Sequence, residues 1–178
     1  MMIQYIEKIF NFIGSSGPLI MFFVTVKLLY LKSNLLTYYC YGFFLNILLN
    51  TILKGIFKQP RPSVDPELFK LAIKSENKFK FSNGFPYNIC GMPSGHSQSI
   101  FYSTIFVYLS LKNKKILIYY LLFSLLVLYH RLYFNYHTVL QVLAGSFVGI
   151  LFAFFMYYMA TQNIIGKLSE KKEDGFYF

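Results

Sequence analysis

Five long apolar runs, each ended by an abrupt polar break, constrain this chain more than any other feature. They cover residues 18–31, 35–57, 93–111, 116–133 and 137–160. About 20 apolar residues in helical form cross the hydrocarbon of a bilayer. The later runs approach or reach that length, and the first is rather short. Charged residues make up only 13% of the chain, against about 25% in a typical soluble domain. Such a deficit fits a lipid solvent. The fold class expected is all-α, an integral membrane helical bundle of about five transmembrane helices. Residues 3–13 read as a further short helix, too short to span and suited to the interface. The string Gly14-Ser15-Ser16-Gly17-Pro18 is expected to break the chain between it and the first span. Residues 1–160 then form one membrane domain, and 161–178 a polar, flexible tail.

The polar breaks are unequal. Lys32-Ser33-Asn34 and Lys112-Asn113-Lys114-Lys115 are short and basic, and residues 134–136 make a brief connection. Residues 58–92 form one long polar segment with four of the six prolines. Loops of this length inside compact domains are usually functional; residues 67–80 are expected to form a surface helix there. Five spans put the long segment on one side and the Lys-rich turns on the other. Short Lys-rich loops stay cytoplasmic, so the long segment is expected to face away from the cytoplasm. The start of the chain shows no cleavable-signal pattern, and insertion through the spanning helices is expected.

The net charge is +10, and most basic residues lie in the loops. A soluble basic stripe, as nucleic acid binding requires, is missing. The partners expected are membrane lipids with anionic head groups and phosphate, not nucleic acid. Cys40 and Cys90 have neither the spacing nor the context of a disulfide framework.

Three motifs fall at helix ends on the side of the long segment. They are Lys54 with Arg61-Pro62, Pro93-Ser94-Gly95-His96, and Arg131 with His137. Charges at or within a membrane are expensive and tend to be functional. Lys54, Arg61 and Arg131 supply three cations that suit the spread charge of a phosphoryl group in transfer. Ser94 and Gly95 lie at a helix amino end, where N–H groups and the helix dipole favour anions. Of His96 and His137, one would attack phosphorus and the other would protonate the leaving oxygen. No carboxylate cluster suggests a metal pair, and Asp65, Glu67 and Glu76 have no His at ligand spacing; no cofactor is expected. His130 has no assigned role and reads as a helix-end polar residue.

These residues resemble the type-2 phosphatidic acid phosphatase superfamily, also called lipid phosphate phosphatases. The first two family motifs, Lys-x6-Arg-Pro and Pro-Ser-Gly-His, are complete here. The third, Ser-Arg-x5-His-x3-Asp, keeps Arg131 and His137, but has His130 in place of Ser and Gln141 in place of Asp. The resemblance implies that His137 is the nucleophile that forms phosphohistidine and His96 the general acid. It implies a phosphorylated lipid as substrate, that Lys54, Arg61 and Arg131 bind its phosphate, with Ser94 and Gly95 assisting, and that no metal is needed. Gln141, four positions beyond His137, would accept the ring N–H through its amide oxygen. The strings around Gly91-Met92-Pro93, Ser97-Gln98 and Tyr136 to Val142 resemble the dolichyldiphosphatase branch. That branch implies hydrolysis of a polyprenyl diphosphate to the monophosphate, in the endoplasmic reticulum of a eukaryotic or viral system. Two alternatives remain: a broad phosphatase for phosphatidic acid and related monophosphates, and a lipid-binding membrane protein without catalysis.

Overall fold

The computed structural model describes residues 2–76, 79–82 and 85–162. The elements are α1 (Met2–Leu29), α2 (Ser33–Phe57), α3 (Pro66–Lys74), β1 (Phe79–Ser82), β2 (Phe85–Asn88), α4 (Gly95–Leu111), α5 (Lys114–Tyr133) and α6 (Val139–Thr161). α1, α2, α5 and α6 are long and apolar enough to cross a membrane. α4 has 17 residues and packs against all four of them. The chain is therefore a multi-pass helical membrane bundle, with α4 at its centre.

The side chains are arranged for a lipid solvent. Phe23, Phe44, Leu48, Leu122, Phe147 and Leu151 all face outward and are exposed. The interior holds polar groups that satisfy one another: Thr25 with Tyr120 at 3.0 Å, Tyr39 with Ser103 at 2.8 Å, and Thr104 with Ser124 at 3.0 Å. With lipid outside, apolar burial does not separate inside from outside, so small residues and internal hydrogen bonds bring the helices together. The α4–α6 seam is the clearest case. Gly145 and Gly149 of α6 have the Gly-x3-Gly spacing. A Cβ at Gly145 would lie 2.4 Å from the Ser94 carbonyl oxygen, and one at Gly149 would lie 2.1 Å from that of Gln98. Only bare backbone fits there.

Three boundaries differ from the sequence expectation. The interfacial helix expected at residues 3–13 and the span expected from residue 18 are one continuous helix, α1, with Pro18 inside it. Gly14 and Gly17 do not break this helix. They let it approach α5, because a Cβ at Gly14 would fall 2.0 Å from the His130 ring and one at Gly17 2.6 Å from Val127. The Ser15 and Ser16 hydroxyls donate to carbonyls one turn earlier, so both are satisfied within the helix. The surface helix expected at 67–80 is shorter. Asp65 caps α3 by accepting the Glu67 and Leu68 N–H groups, and Pro66 opens it, as proline does at a first helical position. The chain after α3 forms an antiparallel hairpin, with Phe79 opposite Asn88 and Ser82 opposite Phe85. The third difference concerns α6, which begins at Val139 rather than at His137. The tail expected at 161–178 falls almost wholly outside the described residues.

Candidate active site

All three motifs meet at one end of the bundle, because the antiparallel order α1-α2-α4-α5-α6 brings the last turn of α2 and α5 beside the first turn of α4 and α6. Lys54 lies in the last turn of α2, which Lys58 ends in a left-handed conformation, donating its N–H to the Lys54 carbonyl. Arg61 follows in an irregular strap. The strap is zipped to the far end of the long segment: Gly91 N–H donates to the Gln59 carbonyl at 2.7 Å, and Arg61 N–H to the Ile89 carbonyl at 3.3 Å. Arg61 Nε donates to the Asn88 carbonyl at 2.8 Å. The two ends of a 35-residue segment are thereby closed over the site, which explains how Arg61 reaches it from a loop.

α4 contributes its amino end. Ser94 is the N-cap, with its hydroxyl accepting from Ser97. Its N–H donates to the Gln141 carbonyl at 2.9 Å and its carbonyl accepts from Gln98 N–H. Ser94 is thus held on several atoms by the scaffold. The N–H groups of the next residues, Gly95 and His96, belong to the open first turn of the helix. Beneath Gly95 lies a buried amide chain. Asn50 donates to the Pro93 carbonyl and to Gln98 Oε1, and Gln98 donates to the Asn46 side chain and carbonyl. A Cβ at Gly95 would come within 3.0 Å of Asn50 Oδ1.

Arg131, 6% exposed, stacks over the Tyr136 ring at 4.2 Å, and its Nε has no hydrogen-bond partner. The Arg131 carbonyl accepts the N–H groups of Tyr136 and His137, which folds the turn between α5 and α6 and sets His137 just ahead of α6. Neither Lys54, also buried, nor Arg131 pairs with a carboxylate among the described residues, where Lys70–Glu67 is the ion pair found. Buried cations without counter-ions are costly and mark a place for an anion.

His137 is fixed from both sides. Its Nδ1 is 3.2 Å from Gln141 Oε1, and its Nε2 is 3.4 Å from Arg61 Nη1. The tautomer follows from the partners. Gln141 Oε1 also accepts the Thr138 N–H, while its Nε2 donates to the Pro60 carbonyl at 2.8 Å and to Gln59 Oε1 at 3.0 Å. The amide can therefore face only one way, Nδ1 must donate, and Nε2 keeps a lone pair directed at the guanidinium. Burial, and then the charges of Arg61, Arg131 and Lys54, push the ring's pKa down to about 2. The imidazole is held neutral, with the Nε2 lone pair free of a proton. Expectation and structure differ on how Gln141 reaches the ring: His137 precedes the helix, Thr138 is the N-cap, and Gln141 is the third helical residue of a capping box. The signature Thr-x-x-Gln at 138–141 was readable. Gln59 and Asn50 were not singled out, and Tyr136 entered only as part of the string that resembles the dolichyldiphosphatase branch, with no role of its own. Among the described residues no three His, Cys, Asp or Glu gather as metal ligands.

A family model described as the PAP2 superfamily matches residues 35–165. The chain belongs to the PAP2 superfamily. That match covers α2 to α6 and every motif above, and begins after α1. The chain is 31% identical over 121 residues to a protein named dolichyldiphosphatase from Saccharomyces cerevisiae, covering 62% of this chain and 46% of that one. It is 30% identical over 171 residues to dolichyldiphosphatase 1 of Plecturocebus moloch, covering 86% and 65%. The corresponding protein of Dictyostelium discoideum is 29% identical over 119 residues, with 61% and 44% covered. This PAP2 chain thus spans about half to two thirds of the length of these relatives. No solved structure gave a significant match.

Proposed function

We propose that this PAP2 chain is a membrane lipid phosphatase that hydrolyses a polyprenyl diphosphate of the dolichyl type to the monophosphate. The observation that carries the proposal is the neutral His137 ring, with Nδ1–H held by Gln141 and Nε2 facing Arg61 amid three buried or half-buried cations. The terminal phosphoryl group replaces the direct Arg61–His137 contact and is held by Lys54, Arg61 and Arg131. Gly95 shapes the turn below it, and Ser94 anchors that turn. His137 Nε2 attacks phosphorus and forms the phosphohistidine, while His96 protonates the departing lipid phosphate. Water then attacks the phosphohistidine, with His96 as base, and returns the free ring. No metal takes part in this scheme. The names of the three relatives and the strings Gly91-Met92-Pro93, Ser97-Gln98 and Tyr136 to Val142 support the diphosphate over a monophosphate. The Lys-rich short turns support a site on the face away from the cytoplasm, which in an endoplasmic reticulum membrane is the lumenal side.

The test is phosphate release by the purified protein from a polyprenyl diphosphate, a polyprenyl monophosphate and phosphatidic acid in one detergent. The diphosphate should be preferred, His137→Ala should abolish both turnover and acid-labile phosphoenzyme, and His96→Ala should slow phosphoenzyme formation. Equal rates on all three lipids would favour a broad phosphatase. Normal turnover in His137→Ala would sink the mechanism, and no release from any lipid would leave a lipid-binding protein.

A further inference from the structure

α1 lies outside the stretch matched to the family, yet it touches the site directly. His96 Nε2 lies 2.9 Å from the backbone carbonyl oxygen of Ser15. A carbonyl can only accept, so Nε2 is the donor and carries the proton in the neutral ring. From this contact we infer that the Ser15 carbonyl positions the general acid, and that His96 delivers its catalytic proton from Nδ1. The inference rests on the phosphatase reading for the role of His96, but not for the contact itself.

A helix interior rarely offers a carbonyl to another helix, since each is bonded four residues ahead. Here Pro18 lacks an N–H and its ring crowds the Gly14 carbonyl, which loosens the ladder beside Ser15. The same turn is docked with little freedom. Gly14 rests on the His130 ring, and Asn11 Oδ1 lies 3.0 Å from His130 Nε2. Phe10 meets that ring edge-on at 5.2 Å. His130, the departure from the family's third motif, thus acts as the seat for α1. Its neighbour is Arg131, so one helix turn of α5 holds both the phosphate cation and the element that aims the acid.

The proton movement balances once substrate is bound. The anionic phosphate offsets the charges of Arg61 and Arg131, so the neutral ring takes a proton at Nδ1 from solvent or from the entering phosphate; Nε2–H stays on the Ser15 oxygen and Nδ1–H passes to the oxygen leaving phosphorus. The ring is then neutral, still Nε2-protonated, and Nδ1 takes the proton of the water that cleaves the phosphohistidine. The two histidines are complementary: an amide oxygen takes Nδ1–H of His137 and frees Nε2, while another takes Nε2–H of His96 and frees Nδ1.

The test begins with the wild-type full chain, labelled with ¹⁵N at histidine. The neutral His96 ring, assigned by the signal lost in His96→Gln, should be the Nε2–H tautomer, and His137 the Nδ1–H tautomer. An Nδ1–H tautomer at His96 would overturn the inference. The second arm is Gly14→Ala, whose Cβ would strike the His130 ring and lift α1 away. A shift of about 1 Å in a catalytic group costs on the order of 100-fold. That loss should appear with phenyl phosphate, a poor leaving group, and be largely absent with p-nitrophenyl phosphate, which needs little protonation. Equal losses on both substrates would mean a folding defect rather than a misplaced acid, and would count against the inference. If the wild type released no phosphate from any lipid or aryl ester, the phosphatase reading would fall, while the tautomer would still decide the contact.

Discussion

Replacing Gln141 by Ala isolates the group that aims His137. In the folded chain its amide serves four partners: it accepts from the His137 ring and the Thr138 N–H, and donates to the Pro60 carbonyl and Gln59. Alanine leaves at least the ring N–H and the Pro60 carbonyl unpaired in a buried place. Each such orphan costs about 1–3 kcal/mol, so stability should fall by roughly 2–6 kcal/mol. The ring would also be free to turn, or to carry its proton on Nε2, the attacking atom. Orienting partners are worth about 10- to 100-fold at metal sites, and a wrong tautomer can cost ~10⁴. Turnover should drop about 10- to 1000-fold, or roughly 1.4–4 kcal/mol in barrier. KM should change little, because Lys54, Arg61 and Arg131 stay in place. Single-turnover phosphate release and thermal melting in detergent measure both effects. Gln141→Glu keeps the acceptors and adds charge, but turns two N–H donations into oxygen–oxygen contacts. It should recover part of the turnover while melting lower than the wild type. Gln141→Asp should likewise retain measurable activity, with the same loss of donors. Gly91→Ala offers an independent route, since its Cβ would sit 2.5 Å from Gln141 Oε1. Wild-type turnover in Gln141→Ala would refute the orienting role and leave Gln141 as packing.

Three further outcomes are expected. Vanadate should inhibit, as a mimic of the transferring phosphoryl group, and activity should survive chelator; a loss in chelator that magnesium restores would overturn the metal-free scheme. A single Cys at exposed Ser75, in a chain lacking Cys40 and Cys90, should react with an impermeant reagent from the lumenal face, and labelling only from the cytoplasmic face would invert the topology. His137 is neutral when folded but protonates near 6.5 when unfolded, so its effect on stability is constant above about pH 6.5. Below that the wild type should lose about 1.4 kcal/mol per pH unit relative to His137→Gln, down toward the folded value of about 2; a pH-independent gap between their melting points would show that the ring is not buried neutral.

Much of this was legible in the residues, and the parts that were not share a cause. The five apolar runs gave the helices because span length is a one-dimensional property. The motifs gave Lys54, Arg61, His96, Arg131 and His137 because phosphate chemistry restricts residue type. The break expected at Gly14–Pro18 failed because glycine and proline signal local punctuation in water, whereas in lipid the same glycines serve close approach between helices. Gln59 carried no signal, and Tyr136 none beyond its place in the branch-like string, because their roles depend on the strap across the long segment and on the turn after α5, which no local pattern encodes. Asn50 reads in the sequence only as a polar residue within the second apolar run; its bond to the Pro93 carbonyl depends on α2 and α4 lying side by side.

The bare-backbone seam between α4 and α6 works as a spacer of fixed width. His96 rides on the first turn of α4 and His137 is tied to the first turn of α6, so the gap between the two rings is set by how closely two main chains touch. A methyl group at Gly149 would widen that gap from about 12 Å further down the helix than Gln141. Such a change should therefore read as a chemical defect, although it touches neither ring.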